Sequence, residues 1–539
     1  MRLKNKDLSR RTFLKAAAAA AAPYLVPGRA LGRDGATSPG NRITLACIGV
    51  NGMGTADMNA FLALGDVQVV AVCDVETRHR MRAKERVEAH YAAEKASGAY
   101  KGCDAYNDFR EIIARTDIDA VCIGTPDHWH VPISIMAAKS GKDVYCEKPL
   151  SRCIGEGRLL CETFKRHGRV FQTGTQLRST RNVRYACELV RNGRIGKLHT
   201  IRTFVPSGSA IAPQPVMPVP EGFDYDLWLG PAPWAPYTEK RCHFSFRYIS
   251  DYAGGVMTDL GAHDNDIAQW GNDTEHTGPV EIEGKGEFPK DGLYDTAMKL
   301  KVHYRYANGI ELICSTDPNP QGTGVRFEGS DGWIYVRGEM DASDPAILKS
   351  DIGPNEVHLY DSNNHQRNFV DCMRSRKETI ASAEIGHRSS SICHLGNIAM
   401  KLGRKLRWKP DRGIRGRSRS EPVALGAGAR AVDRGIRKEE SSNGEEQSIV
   451  TRHDDAARIF KAGRHGDGGR CGVSLYHSFE RLGRGRRGHA KQSHRHGRDR
   501  RRRAGHREHA PVSEQPRRAD GRGMRLRQGA RRGGQENRG

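Results

Sequence analysis

At 539 residues the chain has room for two or three domains and a sizeable hydrophobic core. Its formal net charge of +23 suggests a nucleic-acid partner, but that charge sits at the two ends: residues 1–33 carry eight Lys/Arg against one acid and residues 411–539 carry 33 against 16, whereas residues 34–410 carry 46 against 47. The body is neutral, so its charge gives no reason to expect nucleic acid there. The 13 cysteines are an odd number with no C-x-x-C pair, which offers neither a disulfide framework nor a zinc site.

At the front, Ser9-Arg10-Arg11-Thr12-Phe13-Leu14-Lys15 precedes the alanine run Ala16 to Ala22 and small residues up to Gly32. Residues 1–33 thus resemble a twin-arginine signal peptide, cut near Ala30 to Arg33, and predict export to the periplasm or another extracytoplasmic space. The apolar part is too short for a permanent membrane span. That route carries folded proteins, which suits an enzyme that must acquire a nucleotide cofactor first.

From Ile43 to Asp74 the chain reads as strand, glycine-rich turn, helix, strand and acid. Ile43 to Ile48 is apolar and β-rich, as for a parallel strand covered on both faces. Gly49, Asn51 and Gly54 then occupy the three positions of G-x-G-x-x-G, with a further glycine at Gly52. Such a turn lets the backbone approach a pyrophosphate at a helix N-terminus. The middle glycine is replaced by Asn51, a residue that tolerates left-handed dihedrals. Asp74, 20 residues beyond Gly54, closes the strand Val67 to Cys73 where a carboxylate can accept both ribose hydroxyls of NAD. It would repel a 2′-phosphate, although Arg78 and Arg80 nearby leave NADP possible.

Helical patterns follow over Glu76 to Lys95, Tyr106 to Arg115, Val131 to Ser140 and Gly155 to Arg166, alternating with strands at Asp119 to Gly124, Asp143 to Cys146 and Arg169 to Thr173. This rhythm predicts an α/β fold with a doubly wound parallel sheet, the nucleotide domain running over 41–170. Cys47, Cys73, Cys122 and Cys146 fall in strands, where a thiol behaves as a small apolar residue. His128 and His130 in DHWH could share a metal, but a core or cofactor contact is the reading adopted, and no metal is expected.

Over 171–409 the pattern changes to an α+β domain with a mostly antiparallel open sheet. Leu198 to Val205, Met298 to Tyr306, Ile310 to Ser315, Gly324 to Gly329 and Trp333 to Arg337 read as strands, with the turns Ala307-Asn308-Gly309 and Ser330-Asp331-Gly332 between them. Helices are expected over Gly255 to Trp270, Gln366 to Ser375 and Ser390 to Arg404, and Pro213 to Pro236 reads as a proline-rich loop. An apolar open sheet face would favour a homo-oligomer.

Lys148 lies just past a strand end in EKP, and Asp259 and His263 are four apart in DLGAH, on one side if helical. Removing hydride from an alcohol needs a base for the hydroxyl proton and a cation for the developing alkoxide. His263 suits the first and Lys148 the second, with Asp259 orienting the histidine or binding a substrate hydroxyl. The motifs GVNGMG, GTPDHWH, GKDVYCEKPL, VFQTGTQ, GGVMTDLGAHDNDIAQW and SSSICHLGNIA resemble those of the glucose-fructose oxidoreductase and inositol dehydrogenase family (Gfo/Idh/MocA), over about two thirds of the chain. The resemblance maps the family's lysine to Lys148 and its D-x-x-x-H pair to Asp259 and His263. It implies a Rossmann domain and NAD(P)-dependent oxidation or reduction of a sugar, cyclitol or related polyol. Gly49, Asn51, Gly52, Met53, Gly54, Asp74, Thr125, Pro126, His130, Glu147, Lys148 and Gln176 are the candidate cofactor contacts, and Arg178, Arg181 and His243 the candidate substrate contacts. The family also includes glycosidases that oxidise a sugar, eliminate the aglycone and reduce again; a sugar sensor with a frozen cofactor is a third class.

Beyond Pro410, residues 410–539 lose all periodicity and turn Arg/Gly-rich. A disordered basic arm is one reading. Out-of-frame translation is preferred: Gly413 to Gly426, GIRGRSRSEPVALG, can be encoded by codons that one nucleotide later spell EFVGDREANRLLS, which looks like the end of this family's domain.

Overall fold

The computed structural model describes residues 41–410, so the signal segment and the basic tail lie outside the described residues. Six short apolar runs form the first sheet: β1 (Ile43–Ile48), β2 (Val67–Cys73), β3 (Asp104–Tyr106), β4 (Ala120–Ile123), β5 (Asp143–Glu147) and β6 (Phe171–Gly174). Their order is β3-β2-β1-β4-β5-β6, and every neighbouring pair is parallel. β4 and β5 are buried throughout, because helices cover both faces. The winding reverses between β1 and β4, where an open α/β sheet leaves a crevice at its carboxyl edge. Ile48 pairs with Cys73 and Ile123, and Ile123 with Cys146, so Gly49, Asp74, Gly124 and Glu147 come out along that one edge.

The second sheet contains β7 (Leu198–Phe204), β8 (Glu281–Glu287), β9 (Lys299–Arg305), β10 (Glu311–Ser315), β11 (Gly324–Gly329), β12 (Trp333–Val336), β13 (Met340–Ala342) and β14 (Leu406–Arg407). They run in the order β13-β12-β11-β7-β10-β9-β8-β14, all antiparallel except the parallel pair β7 and β10. Helices Leu260–Gly271 and Ala383–Leu402 pack on one face, burying Trp270, Tyr304, Phe327 and Ile392 in the larger core. The opposite face is not the apolar surface expected of an oligomer interface: Lys299, Lys301, Arg305, Glu283 and Lys285 are exposed on β8 and β9.

Several elements depart from the sequence reading for local reasons. β6 pairs with β5, so the first sheet ends at Gly174, one residue beyond the strand expected over Arg169 to Thr173. The helix expected over Glu76 to Lys95 breaks into Thr77–His90 and Ala92–Ala96, where Tyr91 turns its ring inward against Tyr100. Helix Phe109–Ala114 starts late because the Asp108 side chain caps it through the Arg110 amide. Helix Ala383–Leu402 starts earlier than Ser390, and within it Ser389 and Ser391 donate back to the carbonyls of Ile385 and His387. Helix His365–Ser375 returns to the first sheet, with Phe369 edge-on to Phe61 and Tyr145.

Candidate active site

A cavity of about 440 Å³ opens at the carboxyl edge of the first sheet, and the glycine-rich turn forms one wall. Gly49 leaves β1 at φ +77°, and a Cβ there would stand 2.7 Å from the Thr125 amide nitrogen. Gly54 packs more tightly still, 1.9 Å from the Gly49 carbonyl if it carried a Cβ, so it joins turn to helix and is the one candidate cofactor residue that does not line the cavity. Gly52, at φ +52°, has no atom within 4 Å of its Cβ position and leaves open space at the N-terminus of helix Met53–Leu62. Asn51 lines the cavity and accepts a 3.1 Å hydrogen bond from Arg82.

Asp74 ends β2 with both oxygens held by backbone: Oδ2 accepts from Val50 N at 3.0 Å and Oδ1 from Glu76 N at 2.9 Å. Arg80 turns its guanidinium onto the Asp74 carbonyl and the Asn107 side chain, and Arg78 pairs with Glu76 at 3.1 Å. Open space at a helix N-terminus with a fixed carboxylate one strand away fits NAD.

Lys148 Nζ donates to Asp259 Oδ1 at 2.6 Å and to the Asp259 carbonyl at 3.1 Å. Asp259 is not inside a helix, as its spacing from His263 predicted. A 3₁₀ turn, Gly255–Met257, ends before it, and Asp259 precedes helix Leu260–Gly271 without capping it. Its carboxylate is therefore available to Lys148 and to Arg247, whose Nε lies 3.4 Å from Oδ2. Burial opposes its ionisation, but Lys148 and Arg247 outweigh that and hold the carboxyl below its usual range. His263 lines the same cavity, and its Nδ1 is buried without a hydrogen-bond partner. Burial, reinforced by the positive charges of Lys148 and Arg337, pushes its pKa well below that of a free imidazole, so the ring is neutral.

The other expected cofactor residues, Met53, Thr125, Pro126, His130, Glu147 and Gln176, all line this cavity. His130 is strutted between the Pro149 and Thr125 carbonyls at 2.9 and 2.8 Å. His128 instead binds the Trp228 carbonyl at 2.9 Å, so the two rings of DHWH do not converge on a metal. Gln176 donates to Glu147 Oε1 at 2.6 Å and to Tyr145 OH at 3.1 Å. Burial raises the Glu147 carboxyl, with the nearby Asp57 adding to it.

Two expected substrate contacts fall elsewhere. Arg178 is buried in a structural cluster, forked onto Asp266 at 2.7 and 2.9 Å, bonded to Glu275 at 2.7 Å and stacked over Trp270. Arg181 is exposed at the start of helix Arg181–Arg191, outside the cavity lining. His243 does line the cavity, but it faces Glu76 and His79 beside Asp74. Asp127, Arg247, Phe244, Phe246 and Trp228 also line it without having been singled out in the sequence. Asp127 alone carried a signal there, directly following Thr125-Pro126 at the end of β4; burial pushes its carboxyl up to about 7, against the pull of Arg247 and Lys148.

The parallel sheet, its glycine turn and the acid after β2 define a dinucleotide-binding oxidoreductase. Residues 43–175 match the model of the Gfo/Idh/MocA oxidoreductase family's NAD-binding Rossmann fold, residues 204–416 match that family's C-terminal alpha/beta domain, and residues 7–23 match a twin-arginine translocation signal sequence. The chain belongs to the Gfo/Idh/MocA family of NAD-binding oxidoreductases. It is 26% identical over 361 residues to a glycosyl hydrolase family 109 protein of Stenotrophomonas maltophilia, covering 61% of this chain and 74% of that one. It is 27% identical over 300 residues to myo-inositol 2-dehydrogenase of Thermotoga maritima, covering 54% and 74%. In fold it resembles a levoglucosan dehydrogenase solved with NADH, at TM-score 0.51 and 19% identity over 68% of this chain and 99% of that one. It also resembles the aldose-aldose oxidoreductase of Caulobacter crescentus, at TM-score 0.50 and 18% identity over 68% and 100%.

Proposed function

We propose that this chain interconverts a CH–OH group and a carbonyl on a sugar, cyclitol or related polyol, with Lys148, Asp259 and His263 carrying the chemistry. The observation that supports this reading is their convergence on one cavity: a cation at 2.6 Å from a carboxylate, beside a neutral imidazole with an unpartnered nitrogen. NAD supplies the hydride acceptor or donor when bound at the glycine turn. His263 takes the hydroxyl proton, a role that needs a neutral ring. Lys148 stabilises the developing alkoxide, and Asp259 keeps the ammonium aimed at it. The carboxylate at Asp74 and the engagement of Arg80 with backbone favour NAD over NADP. The relatives that act on inositol and sugars support the substrate class.

The signal sequence supports export, and we place the mature protein in the periplasm. A homo-oligomer built through the outer face of the second sheet would rest on complementary charge rather than apolar burial. We divide the described chain after Gly174, with 175–410 as substrate domain apart from helix His365–Ser375, which packs into the first sheet's core.

The similarity to family 109 hydrolases favours a second reading, transient oxidation of a glycoside with elimination and re-reduction. Incubation with NAD and a polyol panel, followed by absorbance at the NADH band, tests the first reading. Nitrophenol released from nitrophenyl glycosides without NADH accumulation would replace it with the second.

A further inference from the structure

Three potential metal ligands meet at the edge of the cavity beside Asp74. Glu76 precedes helix Thr77–His90 and His79 lies in its first turn, while His243 comes from a loop more than 160 residues later. Glu76 Oε2 stands 3.3 Å from His79 Nδ1 and 3.6 Å from His243 Nδ1, and the three ligand atoms all lie within 4.8 Å of one another. That oxygen is buried and accepts no hydrogen bond, while Arg78 takes the other oxygen of the same carboxylate. Both imidazole nitrogens thus flank a desolvated anionic oxygen without bonding to it.

The spacing distinguishes the two ways such a trio can be satisfied. A charge-assisted N–H···O bond would draw the atoms to about 2.7–2.9 Å. Ligands at about 2.0–2.1 Å from a tetrahedral zinc ion stand roughly 3.3 Å apart, close to the two carboxylate–imidazole distances seen. Donor chemistry agrees, since two imidazoles and a carboxylate form a set typical of zinc. His79 is buried beside the Glu76 carboxylate. His243 is also one of few non-glycine residues at positive φ, +54°, a conformation that turns its ring into the cluster against His79 and Phe223. Asp74 Oδ1, 3.7 Å from His79 Nδ1, adds negative charge on the same side.

We propose that Glu76, His79 and His243 bind a divalent transition-metal ion of the zinc type. Because the two halves of the trio belong to the first sheet's edge and to the loop carrying Phe244, Phe246 and Arg247, the ion clamps that loop over the cavity. All three ligand residues line the cavity. Nothing in the spacing of the sequence announces this set, which lies outside any C-x-x-C or H-x-x-H pattern.

The test uses the purified full chain, stripped with chelator, given zinc sulfate and passed through a desalting column. One zinc retained per chain and a higher thermal midpoint are expected, with both lost in His243→Ala and in Glu76→Gln. A melting curve without zinc checks that each variant folds; His243 is half-exposed, so its truncation spares the core. Wild-type protein that retains no zinc overturns the proposal. So does retention unchanged in both variants, which would assign the zinc to other histidines. The readout is metal content, so it is independent of any failure of the redox reading.

Discussion

Lys148 carries its charge in a cavity wall with Asp259 as its partner, so the worth of the pair lies in alignment more than in stability. Lys148→Ala should lower kcat/KM by roughly 10²- to 10⁴-fold, the range for a positioned proton-handling group. His263→Asn should do the same while changing the unfolding midpoint little, because Nδ1 makes no hydrogen bond to lose. Steady-state kinetics and urea titration on the same preparations check both. Asp127 gives a pH signature of its own. Burial raises its carboxyl from 3.8 to about 7, so the native state holds a proton that the unfolded chain releases across that interval. Stability conferred by this group therefore falls as pH rises from about 4 to about 7 and is flat above that. Urea midpoints of wild type minus Asp127→Asn should decline between pH 5 and pH 8. These residues also mark what a sequence can disclose. Lys148, Asp259 and His263 were legible because motif spacing carries them. Arg247 was not, since its relevance depends on a partner across the fold. Arg178 was misread for the same reason: a charge in sequence does not say whether Asp266, 88 residues away, will neutralise it.

At the level of elements, Ile43 to Asp74 was readable because strand, turn, helix and acid are all local. β8 was not, because EIEGKGE has the composition of a loop. Its glycines explain its place: a Cβ at Gly284 would lie 3.0 Å from Met400, and one at Gly286 would lie 2.9 Å from the Met400 sulfur. The strand exists where it does because helix Ala383–Leu402 needs that close approach. Gly284→Val should therefore destabilise the protein by about 1–3 kcal/mol through overpacking, measured by urea denaturation. Helix His365–Ser375 is held more strongly to the first sheet than its surface position in sequence suggests. Phe369 is fully buried with its ring 6.1 Å from Phe61 and 6.0 Å from Tyr145, and Gln366 donates to Asp57 at 3.1 Å. Phe369→Ala should cost about 3–5 kcal/mol, read from the same titration.

For the whole molecule, NAD should bind only the folded chain and raise its thermal midpoint in proportion to the logarithm of its concentration, worth about 2.7 kcal/mol at 100 times Kd. NADP should raise it less at equal concentration if Asp74 selects as its geometry suggests. Differential scanning fluorimetry with both nucleotides checks this. The chain visits the first sheet, leaves after β6 and comes back with helix His365–Ser375, whose Thr379 neighbour donates to the Phe171 carbonyl at 2.7 Å. The matched Rossmann segment stops at residue 175, yet part of the core it needs is synthesised about 190 residues later. A ribosome therefore cannot release a finished nucleotide-binding unit until nearly the whole body has emerged. Residues 41–176 made alone should be soluble only with a chaperone or collapse with exposed Tyr145 and Phe61, whereas adding 362–382 in trans should recover near-ultraviolet circular dichroism. For a chain whose residues 7–23 match a twin-arginine translocation signal sequence, that late closure puts the folded state at the end of synthesis of nearly the whole body.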